Sequence, residues 1–187
     1  MTLGSHDRRA ITHILAGIGA FLLFHLERRE AIALAIVAVL VNRFVLYRHG
    51  IARRLFRDGN PWRDGIVLYP VMILLAIAIL PYPAAPSCVW AVLAGGDGAA
   101  SLIGRRFGKK KWPWSVRRSP IGTAAFVIGG TVLSYAALVY GGIPPRHALL
   151  VGGAATLAAA AVEAAPLAID DNVSIVVVAG AVATALL

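Results

Sequence analysis

Two carboxylates stand where carboxylates are expensive. Of the nine acidic residues in this 187-residue chain, only Asp97 and Glu163 fall inside apolar runs. Asp7, Glu27, Glu30, Asp58, Asp64, Asp170 and Asp171 lie in loops or at the ends of runs. An ionisable group at membrane depth costs on the order of 3 kcal/mol on insertion scales, and so marks a functional site by default. Asp97 belongs to the stretch Gly95-Gly96-Asp97-Gly98-Ala99-Ala100-Ser101-Leu102-Ile103-Gly104-Arg105-Arg106-Phe107-Gly108. On a helix Asp97, Ser101 and Gly104 share a face, and small residues such as Gly96 and Gly98 let a backbone or a bulky ligand come close. Any one of these glycines is ordinary helix packing; the combination carries the signal. A small-residue face bearing one carboxylate runs straight into seven cations, Arg105, Arg106, Lys109, Lys110, Lys111, Arg117 and Arg118, within fourteen residues.

That juxtaposition suits a nucleoside triphosphate with Mg²⁺. Magnesium prefers oxygen ligands and is commonly held by one or two carboxylates plus phosphate oxygens. Phosphoryl transfer is mostly positioning and charge neutralisation, with arginine and lysine as clamps. Lys109–Lys111 also suit a plain topology signal in contact with anionic lipid. The chain contains no Walker-A pattern and no cysteine–histidine cluster of the zinc kind. Cys88 is the one cysteine, which excludes an internal disulfide framework.

These residues need elements to hold them, and the composition says which. Hydrophobic residues make up 59% of the chain, and the mean hydropathy is +0.76. Both values exceed what a soluble domain of this length needs. Seven apolar runs, about 10–26, 30–47, 65–80, 85–104, 119–140, 147–168 and 172–187, are each expected to form a transmembrane helix. They are continuously apolar, unlike the alternating strands of a barrel. Pro61, Pro81, Pro83, Pro86, Pro144 and Pro145 punctuate the connections. The reading is a single all-α membrane-embedded domain over residues 1–187. No cleavable signal peptide is expected.

Orientation follows from lysine and arginine. The net charge of +9 is clustered. The connection after the second run carries Arg43, Arg48, Arg53, Arg54, Arg57 and Arg63, and the one after the fourth carries the seven cations named above. The positive-inside rule places both, and the N-terminus, in the cytosol, with the C-terminus outside. Tyr47, Trp62, Trp112 and Trp114 then lie at the cytosolic interface. The clusters flank apolar runs, which argues against nucleic-acid binding. In this frame Asp97, Glu163, the Asp170-Asp171-Asn172 turn, His13, Asn42 and Arg43 all gather at one depth on the cytosolic side. A transport path would need polar residues at mid-membrane and on both sides, so a small transporter is the weaker class.

With these residues in place, a resemblance becomes visible. Gly96-Asp97-Gly98-Ala99-Ala100-Ser101-x-x-Gly104-Arg105-Arg106-Phe107-Gly108 resembles the signature of the dolichol kinase, phytol kinase and CTP-dependent diacylglycerol kinase family. Arg118-Ser119-Pro120-Ile121-Gly122-Thr123 is similar to the stretch that follows it. Glu163 and Asp170-Asp171-Asn172-Val173-Ser174 resemble the family's C-terminal elements, and Arg9-x-x-x-His13 an N-terminal one. Ser101, where phytol-kinase-like members often carry Asp, leans towards the dolichol and diacylglycerol kinases. The resemblance implies transfer of a phosphate from CTP or ATP to a dolichol-, phytol- or diacylglycerol-type lipid alcohol, with Mg²⁺ as cofactor. It implies catalytic roles for Asp97, Glu163 and His13, and metal binding by Asp97, Glu163 and Asp171. Gly96, Gly98, Ser101, Arg105, Arg106, Lys109, Lys110, Lys111, Arg118, Ser119, Asp171 and Asn172 would bind nucleotide. A CDP-lipid-forming cytidylyltransferase is the related alternative. Gly129-Gly130 and Gly152-Gly153 are faces through which two copies could dimerise.

Overall fold

A computed structural model describes residues 5–46 and 65–187. Among these residues the chain is helical and contains no strand. Arg48, Arg53, Arg54, Arg57, Arg63, Tyr47 and Trp62, on which part of the charge argument rests, lie outside the described residues.

Helix α1 runs Ser5–Ala16, resumes as Ile18–Leu22 and closes in a 3₁₀ turn, Leu23–His25. Helix α2 spans Arg28–Leu40 and is prolonged by a π-helical segment, Val41–Leu46. It opens with a capping box in which Glu27 and Glu30 each accept from the other's end of the first turn. Helix α3 is Gly65–Ile79, with Pro70 inside it. Helix α4 is Ala84–Phe107, made of Ala84–Val92, a π-helical segment Leu93–Asp97 and Gly98–Phe107. Helix α5, Pro120–Tyr140, begins where the Ser119 hydroxyl accepts from the Gly122 N–H and Pro120 takes the first turn. Helix α6 is Pro145–Ala164 and helix α7 is Asp171–Leu186, capped by Asp170.

The seven expected spans thus correspond to seven helices, with two instructive shifts. Helix α4 reaches Phe107, so Arg105 and Arg106 ride its last turn instead of the loop. Gly108 stops it, its N–H bonded to the Gly104 carbonyl at 3.0 Å. Cations are favoured at such an end by the helix dipole. Helix α6 ends at Ala164, short of 168, because Pro166 and the Asp170 cap turn the chain before α7. Helices α4, α5 and α6 are long and apolar enough to cross a membrane, whereas α1, α3 and α7 offer shorter apolar stretches. By length and composition this is a membrane protein.

Small residues set the helix spacing. A Cβ on Gly95 would lie 2.5 Å from the Gly129 carbonyl oxygen, and one on Gly104 would lie 3.3 Å from Gly122 Cα. Helices α4 and α5 therefore touch along their length through backbone. Gly130 receives Thr156 of α6, and Gly152 receives Ser134 of α5. This corrects the expectation of a dimer face. Gly129, Gly130 and Gly152 are occupied within the chain, and only Gly153 of that set faces open space. Cys88, Val89, Val92 and Leu93 of α4 are fully buried at the centre of the core.

Candidate active site

The site lies at the end of the bundle where α4 and α6 finish and α5 and α7 begin. Asp97 closes the π-helical segment of α4. Such segments insert an extra residue into a helix and recur at functional sites. Here the insertion falls on Leu93-Ala94-Gly95-Gly96-Asp97, whose glycines let α5 press in: a Cβ on Gly96 would meet the Phe126 ring at 2.6 Å. Opposite stands α1. His13 Nδ1 lies 3.5 Å from Asp97 Oδ2, with the imidazole largely buried and the carboxylate about one third exposed (10% and 32%). This distance suits an ion pair and is long for a hydrogen bond. Gly17 brings α1 close, since a Cβ there would sit 2.9 Å from Ala94.

A second group forms around Arg118. Its guanidinium reaches Asp171 Oδ1 at 2.5 Å and Glu163 Oε1 at 3.6 Å, and it donates to the Ala165 carbonyl. Arginine's planar fork suits this triple duty. Arg118 is therefore engaged with the two carboxylates that the resemblance made metal ligands. Asp97 lies within charge–charge range of both Glu163 and Asp171. Asp170 Oδ1 accepts from the Asn172 backbone and side-chain amides at 2.8 and 2.9 Å, so Asn172 helps to build the cap of α7.

The segment between α4 and α5 is folded down over the same end. Trp112 and Trp114 stack with ring centroids 5.0 Å apart. Trp112 Nε1 donates to Thr123 Oγ1 of α5 at 3.1 Å, and Trp114 Nε1 donates to the Ala164 carbonyl of α6 at 2.7 Å. Lys111 turns back to the Arg117 carbonyl, while Lys109 and Lys110 are exposed. Ser119 is buried between Gly104, Gly108 and Gly122. Gly98 is buried, Ser101 is half-buried, and Arg105 and Arg106 are exposed on the last turn of α4. The structure thus brings together His13 with Asp97, and Arg118 with Glu163 and Asp171, beneath a basic segment.

Among the described residues no three His, Cys, Asp or Glu side chains form a ready-made metal cage. Magnesium does not require one, since it is commonly held by one or two carboxylates and completed by substrate phosphates. Asp97 is a carboxylate outside the Arg118 cluster, whereas Glu163 and Asp171 are ion-paired with Arg118.

Two participants escaped the sequence reading. The Tyr69 ring of α3 leans on His13 at 4.6 Å between centroids, and the Tyr69 hydroxyl accepts from Trp90 Nε1 at 3.0 Å. Their signal was a hydroxyl and an indole N–H inside otherwise aliphatic runs, where each must find a polar partner.

The class these features define is a helical, membrane-type bundle with an acid–histidine pair and a basic segment at one end. The relatives narrow it. The chain is 30% identical to a probable phytol kinase 1, chloroplastic, of Oryza sativa subsp. japonica, over 89% of this chain and 60% of the rice protein. It is 29% identical to phytol kinase 1, chloroplastic, of Arabidopsis thaliana, over 89% of this chain and 62% of that protein. It is also 29% identical to farnesol kinase, chloroplastic, of the same plant, over 68% of this chain and 42% of the relative. This chain is a sequence relative of phytol and farnesol kinases, which bears out the resemblance to the polyprenol and phytol kinase family. It spans about 60% of the length of the first of these relatives. No protein-family model and no solved structure matches it.

Proposed function

We propose that the chain is a lipid-alcohol kinase, transferring the terminal phosphate of CTP or ATP to the hydroxyl of an isoprenoid alcohol, with phytol and farnesol the first candidates. The observation that carries this reading is Asp97: a carboxylate in a π-helical segment, paired with His13 and followed within the same helix by Arg105 and Arg106. Relatives named phytol kinase and farnesol kinase support it. In this account Arg105, Arg106 and Lys109–Lys111 hold the triphosphate, with lysine as point charge and arginine as fork. His13, oriented by Asp97, accepts the alcohol proton as the oxygen attacks the γ-phosphorus; the bond to the bridging oxygen breaks and nucleoside diphosphate leaves. Asp97 would hold Mg²⁺, with Glu163 and Asp171 as further oxygen donors, and the ion would neutralise phosphate charge. The lipid tail lies among the helices while its hydroxyl reaches the interface. The basic connections support a cytosolic site in a chain that crosses the membrane several times.

The test uses detergent-solubilised protein, Mg²⁺, nucleotide carrying label at the α- or the γ-phosphate, and phytol, farnesol, dolichol and diacylglycerol as acceptors. A kinase moves γ-label to the lipid and leaves α-label on the nucleotide. Lipid carrying α-label would instead identify a cytidylyltransferase. No transfer, with no thermal stabilisation by CTP or ATP, would overturn both and favour transport.

A further inference from the structure

The His13–Asp97 pair is supported from behind by residues that the proposed reaction does not use. Three helices contribute to this support. Helix α1 supplies His13, α3 supplies Tyr69, and α4 supplies both Trp90 and Asp97. His13 and Tyr69 are 8% and 7% exposed. The two rings are tilted by 57° at 4.6 Å, which is contact. Tyr69 is itself fixed, because its hydroxyl accepts the Trp90 indole N–H at 3.0 Å. Trp90 is fixed in turn against Gly19 of α1, where even a Cβ would fall 2.1 Å from the indole ring. A chain of contacts thus runs from Gly19 through Trp90, Tyr69 and His13 to Asp97.

An imidazole can rotate about its ring axis and exchange tautomers, so it serves as a proton acceptor only when something settles both choices. Asp97 addresses Nδ1 from one side at 3.5 Å. That distance alone is too long to fix the ring. The tilted face of Tyr69 supplies the second constraint, and the Trp90 bond keeps that face from turning. A purely packing role would need the ring of Tyr69 but not its hydroxyl.

We propose that Tyr69, anchored by Trp90, is a positioning residue that holds the His13 imidazole with Nδ1 towards Asp97, leaving Nε2 as the nitrogen that takes the lipid-alcohol proton. This rests on the kinase reading for its chemistry, though not for its geometry. During transfer the alcohol O–H bond breaks and its proton passes to His13 Nε2. The alcohol oxygen bonds the γ-phosphorus, and the phosphorus–oxygen bond to the leaving diphosphate breaks.

The test combines kinetics with a signal that needs no turnover. Tyr69→Phe keeps the ring and removes the anchor. It lowers kcat on the order of tenfold with the nucleotide KM unchanged, as small misplacements of reacting groups do. Trp90→Phe has the same effect, and the two together cost no more than either alone. In a His13→Gln background Tyr69→Phe has no further effect. Imidazole ¹⁵N spectra, with His13 assigned by its loss in His13→Gln, show one dominant tautomer in the wild type and a mixture in Tyr69→Phe. An unchanged kcat in Tyr69→Phe, a full tenfold loss in the His13→Gln background, or an unaltered tautomer would each overturn the proposal. Should the wild type transfer no phosphate, the kinase reading fails, and the tautomer spectra still decide whether Tyr69 orients His13.

Discussion

Arg118 shows how much one side chain can hold. It ties Glu163, Asp171 and the Ala165 carbonyl into one knot, joining the start of α5 to the turn between α6 and α7. Glu163 is only 12% exposed and Asp171 42%, so removing the guanidinium strands one nearly buried charge and one half-exposed one. Arg118→Met is expected to destabilise the protein on the order of 2 kcal/mol, less than a fully buried pair because water screens Asp171. Thermal unfolding in detergent measures this. Arg118→Lys recovers only part of the loss, since an ammonium cannot fork across both acids. From sequence Arg118 read as another phosphate clamp, because a cation beside cations gives no sign of its partners. Those partners, Glu163 and Asp171, are 45 and 53 residues away in the chain. The proximity of His13 to Asp97 was foreseeable only as a shared depth. That they touch depends on Gly17 admitting α1 to α4, a close approach that no local pattern announces.

Elements were far more legible. The length of apolar runs and the prolines between them follow from backbone physics, and the described helices begin and end within a few residues of those expectations; the Ser119 and Asp170 caps were seen only in the structure. Two features of α4 were not legible: its extension to Phe107, and its π-helical segment, in which Gly95 and Gly96 pack closely on α5. That packing makes a clear contrast. Gly95→Ala forces a methyl to 2.5 Å from the Gly129 carbonyl, a backbone atom that cannot swing aside, so α4 and α5 must separate. It is expected to lower the unfolding temperature by several degrees and weaken activity, because Asp97 ends the same segment. Gly153→Ala, which meets nothing within 4 Å, is expected to leave stability unchanged or raise it by up to about 1 kcal/mol through helix propensity. Differential scanning fluorimetry of both variants tests the comparison.

The described helices form a bundle whose candidate site lies at one end. The opposite end is tied by Arg28 to the Leu80 carbonyl and by Tyr82 against the carbonyls of Leu23 and Leu26. The proposed orientation predicts accessibility. With Cys88 replaced by alanine, a cysteine at Lys110 should react with a membrane-impermeant maleimide only after cells are opened. A cysteine at Arg146, at the other end, should react in intact cells. The reverse pattern would invert the topology and deny the site its cytosolic nucleotide. Composition sufficed for the membrane assignment, because the excess of apolar surface has no other use.

The proposed kinase chemistry turns on Asp97, the carboxylate beside His13. The most direct measurement follows γ-labelled nucleotide into phytol or farnesol with purified wild-type protein and Asp97→Asn, which keeps shape and loses charge. Transfer by the wild type is expected, with a loss on the order of a hundredfold or more in the variant, whose folding stays intact by thermal unfolding. Transfer by Asp97→Asn at the wild-type rate would contradict it.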